Sequence, residues 1–170
     1  EVAPVAQQYE ANLAIHPDDP PFSLLGLPRV VSTEADLKAI FKAVPIQSNG
    51  LCYCTGSLGA NPKNDLPKII DEYGDRIHFL HLRNTFRESE TIFRESEHLN
   101  GDANMGAIVE KLLLLMNKTK VSLPMRPDHG FLHQVDEKTE TYPGYSLTGR
   151  LKGLAELRGL EMGFGYKLNL

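Results

Sequence analysis

Leu51-Cys52-Tyr53-Cys54-Thr55-Gly56-Ser57-Leu58-Gly59 opens with an apolar run too short for a helix and closes it with turn formers, the pattern of a buried strand. Asn12-Leu13-Ala14-Ile15, Ile77-His78-Phe79-Leu80-His81-Leu82 and Val121-Ser122-Leu123-Pro124-Met125 repeat it. Helical spacing fills the segments between and after these runs. Thr33-Glu34-Ala35-Asp36 has the form of a capping box, and Leu37, Ile40, Phe41 and Val44 then fall on one helical face. Leu66, Ile69, Ile70 and Tyr73 repeat that spacing before Gly74, a helix stop. Met105, Ile108, Val109, Leu112, Leu113 and Met116 predict a third helix, and Leu151, Leu154, Leu157 and Leu160 a fourth.

Four strand-then-helix units in series predict parallel strands with crossover helices, as a barrel or a doubly wound sheet. Each predicted strand ends in a polar, reactive residue: His16, Cys54, His81 and, after Arg126-Pro127, Asp128. In a (β/α)8 TIM barrel the C-terminal strand ends converge on one site. No GxGxxG or GxxxxGK[ST] fingerprint is present, which weighs against the nucleotide-binding, doubly wound alternative.

The chain has 170 residues, 41% hydrophobic and 24% charged, the composition of one soluble globular domain rather than a disordered or collagen-like one. A formal charge of −4 without any basic block argues against nucleic acid as a partner. Apolar runs such as Leu112-Leu113-Leu114-Leu115-Met116 fall far short of the roughly 20 residues of a membrane span. The opening Glu1-Val2-Ala3-Pro4 lacks the basic start and apolar stretch of a signal peptide, so a cytoplasmic address is expected. Cys52 and Cys54 are the only cysteines, and a disulfide between them would close a strained, tiny loop; a reducing compartment is expected. On one strand their side chains share a face. Phe86-Arg87-Glu88-Ser89-Glu90 recurs as Phe93-Arg94-Glu95-Ser96-Glu97, which reads as a long charged loop over the mouth of the site, between the third strand and its helix.

His16, Cys54, His81 and Asp128 are separated by distances of one βα unit with loop insertions, not by those of a zinc finger, and no CxxC or HExxH is present. Each alone has an ordinary reading, a core histidine or a turn-forming aspartate. Together at strand ends they would offer one ion two imidazoles, a thiolate and a carboxylate. That mixture suits Zn²⁺, Fe²⁺ or Mn²⁺ and not Ca²⁺, which prefers oxygen shells.

Several blocks carry a family resemblance, in consistent order over essentially the whole chain. They are His16-Pro17-Asp18-Asp19-Pro20-Pro21 with Gly26-Leu27-Pro28-Arg29, Asn49-Gly50-Leu51 through Cys54-Thr55-Gly56-Ser57-Leu58-Gly59, and Arg76-Ile77-His78-Phe79 through His81-Leu82-Arg83-Asn84. Glu95-Ser96-Glu97-His98, Arg126-Pro127-Asp128-His129-Gly130, and Pro143-Gly144-Tyr145 through Gly149-Arg150-Leu151-Lys152-Gly153-Leu154 complete the set. The sequence resembles the C-terminal half of the mannonate dehydratases. The resemblance implies a (β/α)8 barrel, a metal held by His16, Cys54, His81 and Asp128, and proton transfer by His129 and Tyr145. It also implies Mn²⁺, with Fe²⁺ as the alternative, and dehydration of D-mannonate to 2-keto-3-deoxy-D-gluconate in hexuronate breakdown. Cys52 stands where the family pattern does not demand cysteine, and the doubled Phe-Arg-Glu-Ser-Glu segment departs from it.

Dehydration removes a proton next to a carboxylate while the neighbouring hydroxyl leaves as water, so it needs positive charge beside the developing enolate and a proton for the hydroxide. Arg83 and Arg126 are candidates for holding the substrate carboxylate, because the planar guanidinium matches its geometry. His98 is placed in a lid or behind the ligands, and His78 is read as structural. Two competing readings are a metal-dependent sugar isomerase of the xylose-isomerase-like barrel group, against which a thiolate ligand speaks, and an inactive fragment acting in assembly. A full barrel needs about 250 residues. Residues 1–170, starting inside what reads as a helix, are therefore expected to form roughly the last four βα units of one catalytic domain. The open strand edges of such a piece invite pairing with a second copy as a dimer.

Overall fold

Every strand-length run pairs in parallel with the next. In the computed structural model, which describes residues 1–138 and 140–170, helix α1 (Val2–Gln8) leads into β1 (Leu13–Ile15), and α2 (Glu34–Ala43) crosses back to β2 (Asn49–Cys54). The short α3 (Thr55–Gly59) and α4 (Leu66–Tyr73) then lead to β3 (Ile77–His81). An antiparallel hairpin of β4 (Thr85–Arg87) and β5 (Phe93–Glu95) precedes α5 (Met105–Thr119), β6 (Met125–Arg126) and the long α6 (Leu147–Leu168). The sheet order is β1-β2-β3-β6, all parallel, the sequential winding of a barrel wall. Among the described residues, the outer edges of β1 and β6 have no ladder partner.

Local chemistry explains the element ends. Thr33 caps α2 by accepting from the Asp36 amide at 3.3 Å, while the Asp36 carboxylate accepts from the Thr33 amide at 2.8 Å, the expected capping box. Asp65 caps α4, with Pro67 in its first turn, and Asn104 caps α5. All six residues of β2 are buried, as befits a strand covered on both faces. Tyr53, the largest fully buried side chain, donates its hydroxyl to the Leu66 carbonyl at 2.8 Å, which satisfies its one polar atom. Leu37, Leu51, Leu58, Ile69, Ile77, Ile108, Leu112 and Leu157 fill the layer between sheet and helices.

Three expectations change. The fourth strand is only Met125–Arg126, not Val121–Met125, because Pro124 has no amide to give the ladder, although its carbonyl still accepts from the Leu80 amide at 2.9 Å. The doubled Phe-Arg-Glu-Ser-Glu segment is not an irregular loop: its two copies pair with each other, Phe86 opposite Arg94 and Arg87 opposite Phe93. In α6 the inward face is Gly149, Gly153 and Leu157, so Leu151 and Leu154 of the predicted apolar face are exposed.

Those two glycines permit a close approach. A Cβ on Gly149 would lie 2.2 Å from the Phe131 carbonyl oxygen, and one on Gly153 would lie 2.1 Å from the His98 ring. The first turns of α6 therefore lie directly on the segment that follows Asp128. A contrast within one helix tests this packing. Gly159 has open space around it. Urea unfolding should show Gly159→Ala stabilised by about 0.5–1 kcal/mol through helix propensity. Gly153→Ala should instead lose about 1–3 kcal/mol by overpacking against His98. Equal effects at both positions would contradict the packing.

Candidate metal centre and active site

Parallel strands deliver their C-terminal ends to one side, and the four strand-end residues meet there. One ligating atom from each of His16, Cys54, His81 and Asp128 lies within 4.8 Å of the other three. Donors bound about 2.0–2.3 Å from one ion sit roughly 3–4 Å from each other. His16 Nε2 is 3.1 Å from His81 Nδ1, which is 3.6 Å from Asp128 Oδ1. The donor set thus fits a single divalent ion in spacing as well as in chemistry.

The surroundings aim each donor. His16 Nδ1–H donates to the Pro17 carbonyl at 2.7 Å, leaving Nε2 bare toward the centre. Cys54 ends β2 and caps α3, its sulfur accepting from the Ser57 amide at 3.4 Å with the Ser57 hydroxyl 3.2 Å away. Thr55 donates its hydroxyl to the His81 carbonyl at 3.2 Å and also to that of Arg83, tying the end of β2 to the end of β3. Asp128 is 7% exposed and has φ of 66°, a left-handed conformation that a non-glycine residue holds only under local constraint. His98, buried, places its Nε2 2.9 Å from the Pro127 carbonyl just before that turn, which puts it behind the clustered donors rather than in a lid. Cys52 is buried and unpaired, and it is not among the clustered donors. Burial, with the neighbouring Cys54 and Asp128 charges, pushes its thiol up to about 12, so it stays protonated. His78 faces elsewhere, with Nε2 2.9 Å from the Gln47 carbonyl.

His129 and Tyr145 stand together at the rim, with ring centroids 4.8 Å apart. The Gly130 amide donates to the Gly144 carbonyl at 2.9 Å, and this contact holds the two segments in register. His129 Nε2 lies 3.9 Å from Asp128 Oδ2, while Nδ1 lies 2.9 Å from Glu95 Oε1. Half of Tyr145 is exposed.

The two candidate arginines differ. Arg126 is 47% exposed and sits 3.3 Å from Asp128 Oδ1, open to a ligand. Arg83 is 4% exposed: Nη1 pairs with Asp19, and Nε and Nη2 together pair with Glu95. Its donors serve two protein carboxylates, which disfavours it as an open clamp for substrate. Gly56 makes this possible, since a Cβ there would lie 2.4 Å from the Arg83 stem. Burial pushes the Glu95 carboxyl up, but hydrogen bonds from His129 and Arg83 outweigh it and hold the group below the usual carboxylate value. Asp19 and Glu95 are not among the sequence-based candidates, and the signal the sequence holds for them is their place within the resemblance blocks beginning at His16 and at Glu95.

The family model for D-mannonate dehydratase (UxuA) matches residues 1–168. Mannonate dehydratase 2 of Agrobacterium fabrum is 50% identical over 165 residues, and mannonate dehydratase of Saccharophagus degradans is 51% identical over 168. In both cases 94% of this chain aligns with 42% of the relative, so the chain spans less than half the length of these curated relatives. The crystal structure of mannonate dehydratase from Streptococcus suis serotype 2 superposes with a TM-score of 0.84 at 30% identity, over 98% of this chain and 47% of that one. A xylose isomerase domain protein from Planctomyces limnophilus shares the fold alone, with a TM-score of 0.63 at 12% identity over 98% of this chain and 51% of that one. The family match runs through nearly every residue, including all four clustered donors, and the chain belongs to the D-mannonate dehydratase family.

Proposed function

We propose that this chain carries the metal-binding and proton-transfer half of a hydro-lyase that converts D-mannonate to 2-dehydro-3-deoxy-D-gluconate and water in hexuronate catabolism. The observation that carries the reading is the convergence of two imidazoles, a thiol and a carboxyl within 4.8 Å, with His129 and Tyr145 beside them. His16, Cys54, His81 and Asp128 would hold Mn²⁺, with Fe²⁺ as the competing occupant. When bound, such an ion supplies positive charge that makes the hydrogen next to a carboxylate more acidic.

The chain's own groups do the rest. His129 and Tyr145 have ring centroids 4.8 Å apart, so both can reach adjacent carbons of one sugar acid. One takes the proton from the carbon next to the carboxylate, and the other gives a proton to the departing hydroxide, so that water is the leaving product. Arg126, open and next to Asp128, receives the substrate carboxylate in a planar pair. An isomerase reading shares only the fold-level likeness, whereas a dehydratase reading also rests on the family match.

The two free cysteines support a reducing, cytoplasmic setting, and no helix among the described residues is long and apolar enough to cross a membrane. Among the described residues the outer edges of β1 and β6 are unpaired, which supports closure by further strands, from the remainder of a barrel or from a second copy in a dimer.

Both parts of the site are testable in an enzyme of the relatives' full length that carries this sequence. Cys54→Ala or His81→Ala should lose stoichiometric Mn²⁺ on metal analysis after dialysis; a retained equivalent of metal would remove the ligand set. His129→Asn should keep its metal and lose turnover of D-mannonate by about 10²–10⁴-fold, as for loss of a proton-transferring group. Near-normal formation of the keto-deoxy product would remove His129 from its role.

A further inference from the structure

The duplicated segment contains an internal comparison. Glu88 and Glu95 occupy the same place in the two copies, each third in Phe-Arg-Glu-Ser-Glu. Glu88 is 51% exposed and pairs with Arg94 on the outside of the hairpin. Glu95 is 23% exposed and turns inward, where Oε1 lies 2.9 Å from His129 Nδ1 and both carboxylate oxygens accept from Arg83. Asp19, in the segment following His16, takes the third contact of that guanidinium. Gly144 covers the contact from the other side: a Cβ there would lie 3.4 Å from Glu95 Cγ and 3.6 Å from His129 Nδ1.

We propose that Glu95 is the positioning residue for His129: its carboxylate, held by Arg83, accepts from His129 Nδ1–H and so keeps Nε2 unprotonated and directed at the site as the nitrogen that exchanges the substrate proton. A carboxylate can only accept, so a neutral ring beside it must carry its hydrogen on Nδ1. Asp128 precedes His129 in the chain, and its Oδ2 lies 3.9 Å from Nε2, beyond hydrogen-bond distance, so the hydrogen bond that orients the ring is the one to Glu95. The orientation comes from the hairpin through Glu95 and from β3 through Arg83, which directly follows Leu82 at the strand's exit. Glutamine cannot replace the carboxylate without loss. Arg83 Nε needs an acceptor at Oε2, and both His129 and Arg83 Nη2 need one at Oε1, so an amide nitrogen at either place opposes a donor.

The proposal rests on His129 as a proton-transferring group, and its test separates the two ideas. In the chain labelled with nitrogen-15 histidine, two-bond proton–nitrogen spectra report which ring nitrogen carries the hydrogen, with His129 assigned by its loss in His129→Asn. The parent and Glu88→Gln should show the neutral His129 ring as Nδ1–H. Glu95→Gln should raise the ratio of Nε2–H to Nδ1–H roughly tenfold, the difference between a charged and a neutral acceptor. In the full-length enzyme Glu95→Gln should lower kcat about 10- to 100-fold, with KM and Mn²⁺ content unchanged. A parent ring protonated on Nε2, or a ratio that Glu95→Gln leaves unmoved, overturns the proposal even if the variant melts earlier. Failure of the parent enzyme to dehydrate D-mannonate, with the tautomer as stated, overturns the function instead and leaves the positioning intact.

Discussion

Parallel pairing of β1, β2, β3 and β6 is the constraint from which the site follows. Parallel strands joined by crossover helices leave the sheet on the same side each time, so residues far apart in sequence arrive as neighbours. His16 follows β1, Cys54 ends β2, His81 ends β3 and Asp128 follows β6 by two residues. Nothing local in the sequence draws these four together; the ladder does. Its ends are then fixed by short polar contacts, notably the Thr55 hydroxyl bridging to the exit of β3 and the left-handed turn at Asp128.

A second layer of contacts carries the rim of the site. The hairpin of β4 and β5 brings Glu95 between Arg83 and His129, and Asn84 anchors its base. The Asn84 side chain donates to the carbonyls of His98 and Ala103 at 2.9 and 3.0 Å and accepts from the amides of Thr85 and Ala103. At the far side, Lys152 of α6 pairs with Glu97 at 2.7 Å and holds its carboxyl below the usual range. An unpaired arginine at Arg83's depth would be strongly destabilising, and two carboxylates offset that. The same arrangement makes Arg83 a holder of Glu95, and leaves Arg126 as the more exposed of the two guanidiniums.

Much of this was legible in the residues because it depends on local rules. The capping box at Thr33 and the helix from Met105 follow from short-range chemistry and apolar period. The strand-end positions of His16, Cys54 and His81 follow from the apolar runs, whereas Asp128 stands two residues past a strand that is displaced from its predicted run. What sequence could not supply depends on long-range partners. Pairing of the two Phe-Arg-Glu-Ser-Glu copies is a cross-strand event that composition read as a charged loop. The inward face of α6 is set by glycines that meet Phe131 and His98, so apolar periodicity at Leu151 and Leu154 pointed to the wrong side. The burial of Arg83 depends on Asp19 and Glu95, which lie on either side of it in sequence and carry no motif linking them.

In the proposed centre one metal ion is held by residues from four parallel strand ends, one of them a thiolate. X-ray absorption at the manganese edge of the metal-loaded full-length enzyme tests it most directly. The proposed ligand set gives a first shell with a single sulfur scatterer alongside nitrogen and oxygen, and that sulfur is lost in Cys54→Ser. A shell of nitrogen and oxygen only in the parent enzyme, or a sulfur that survives Cys54→Ser, would contradict it.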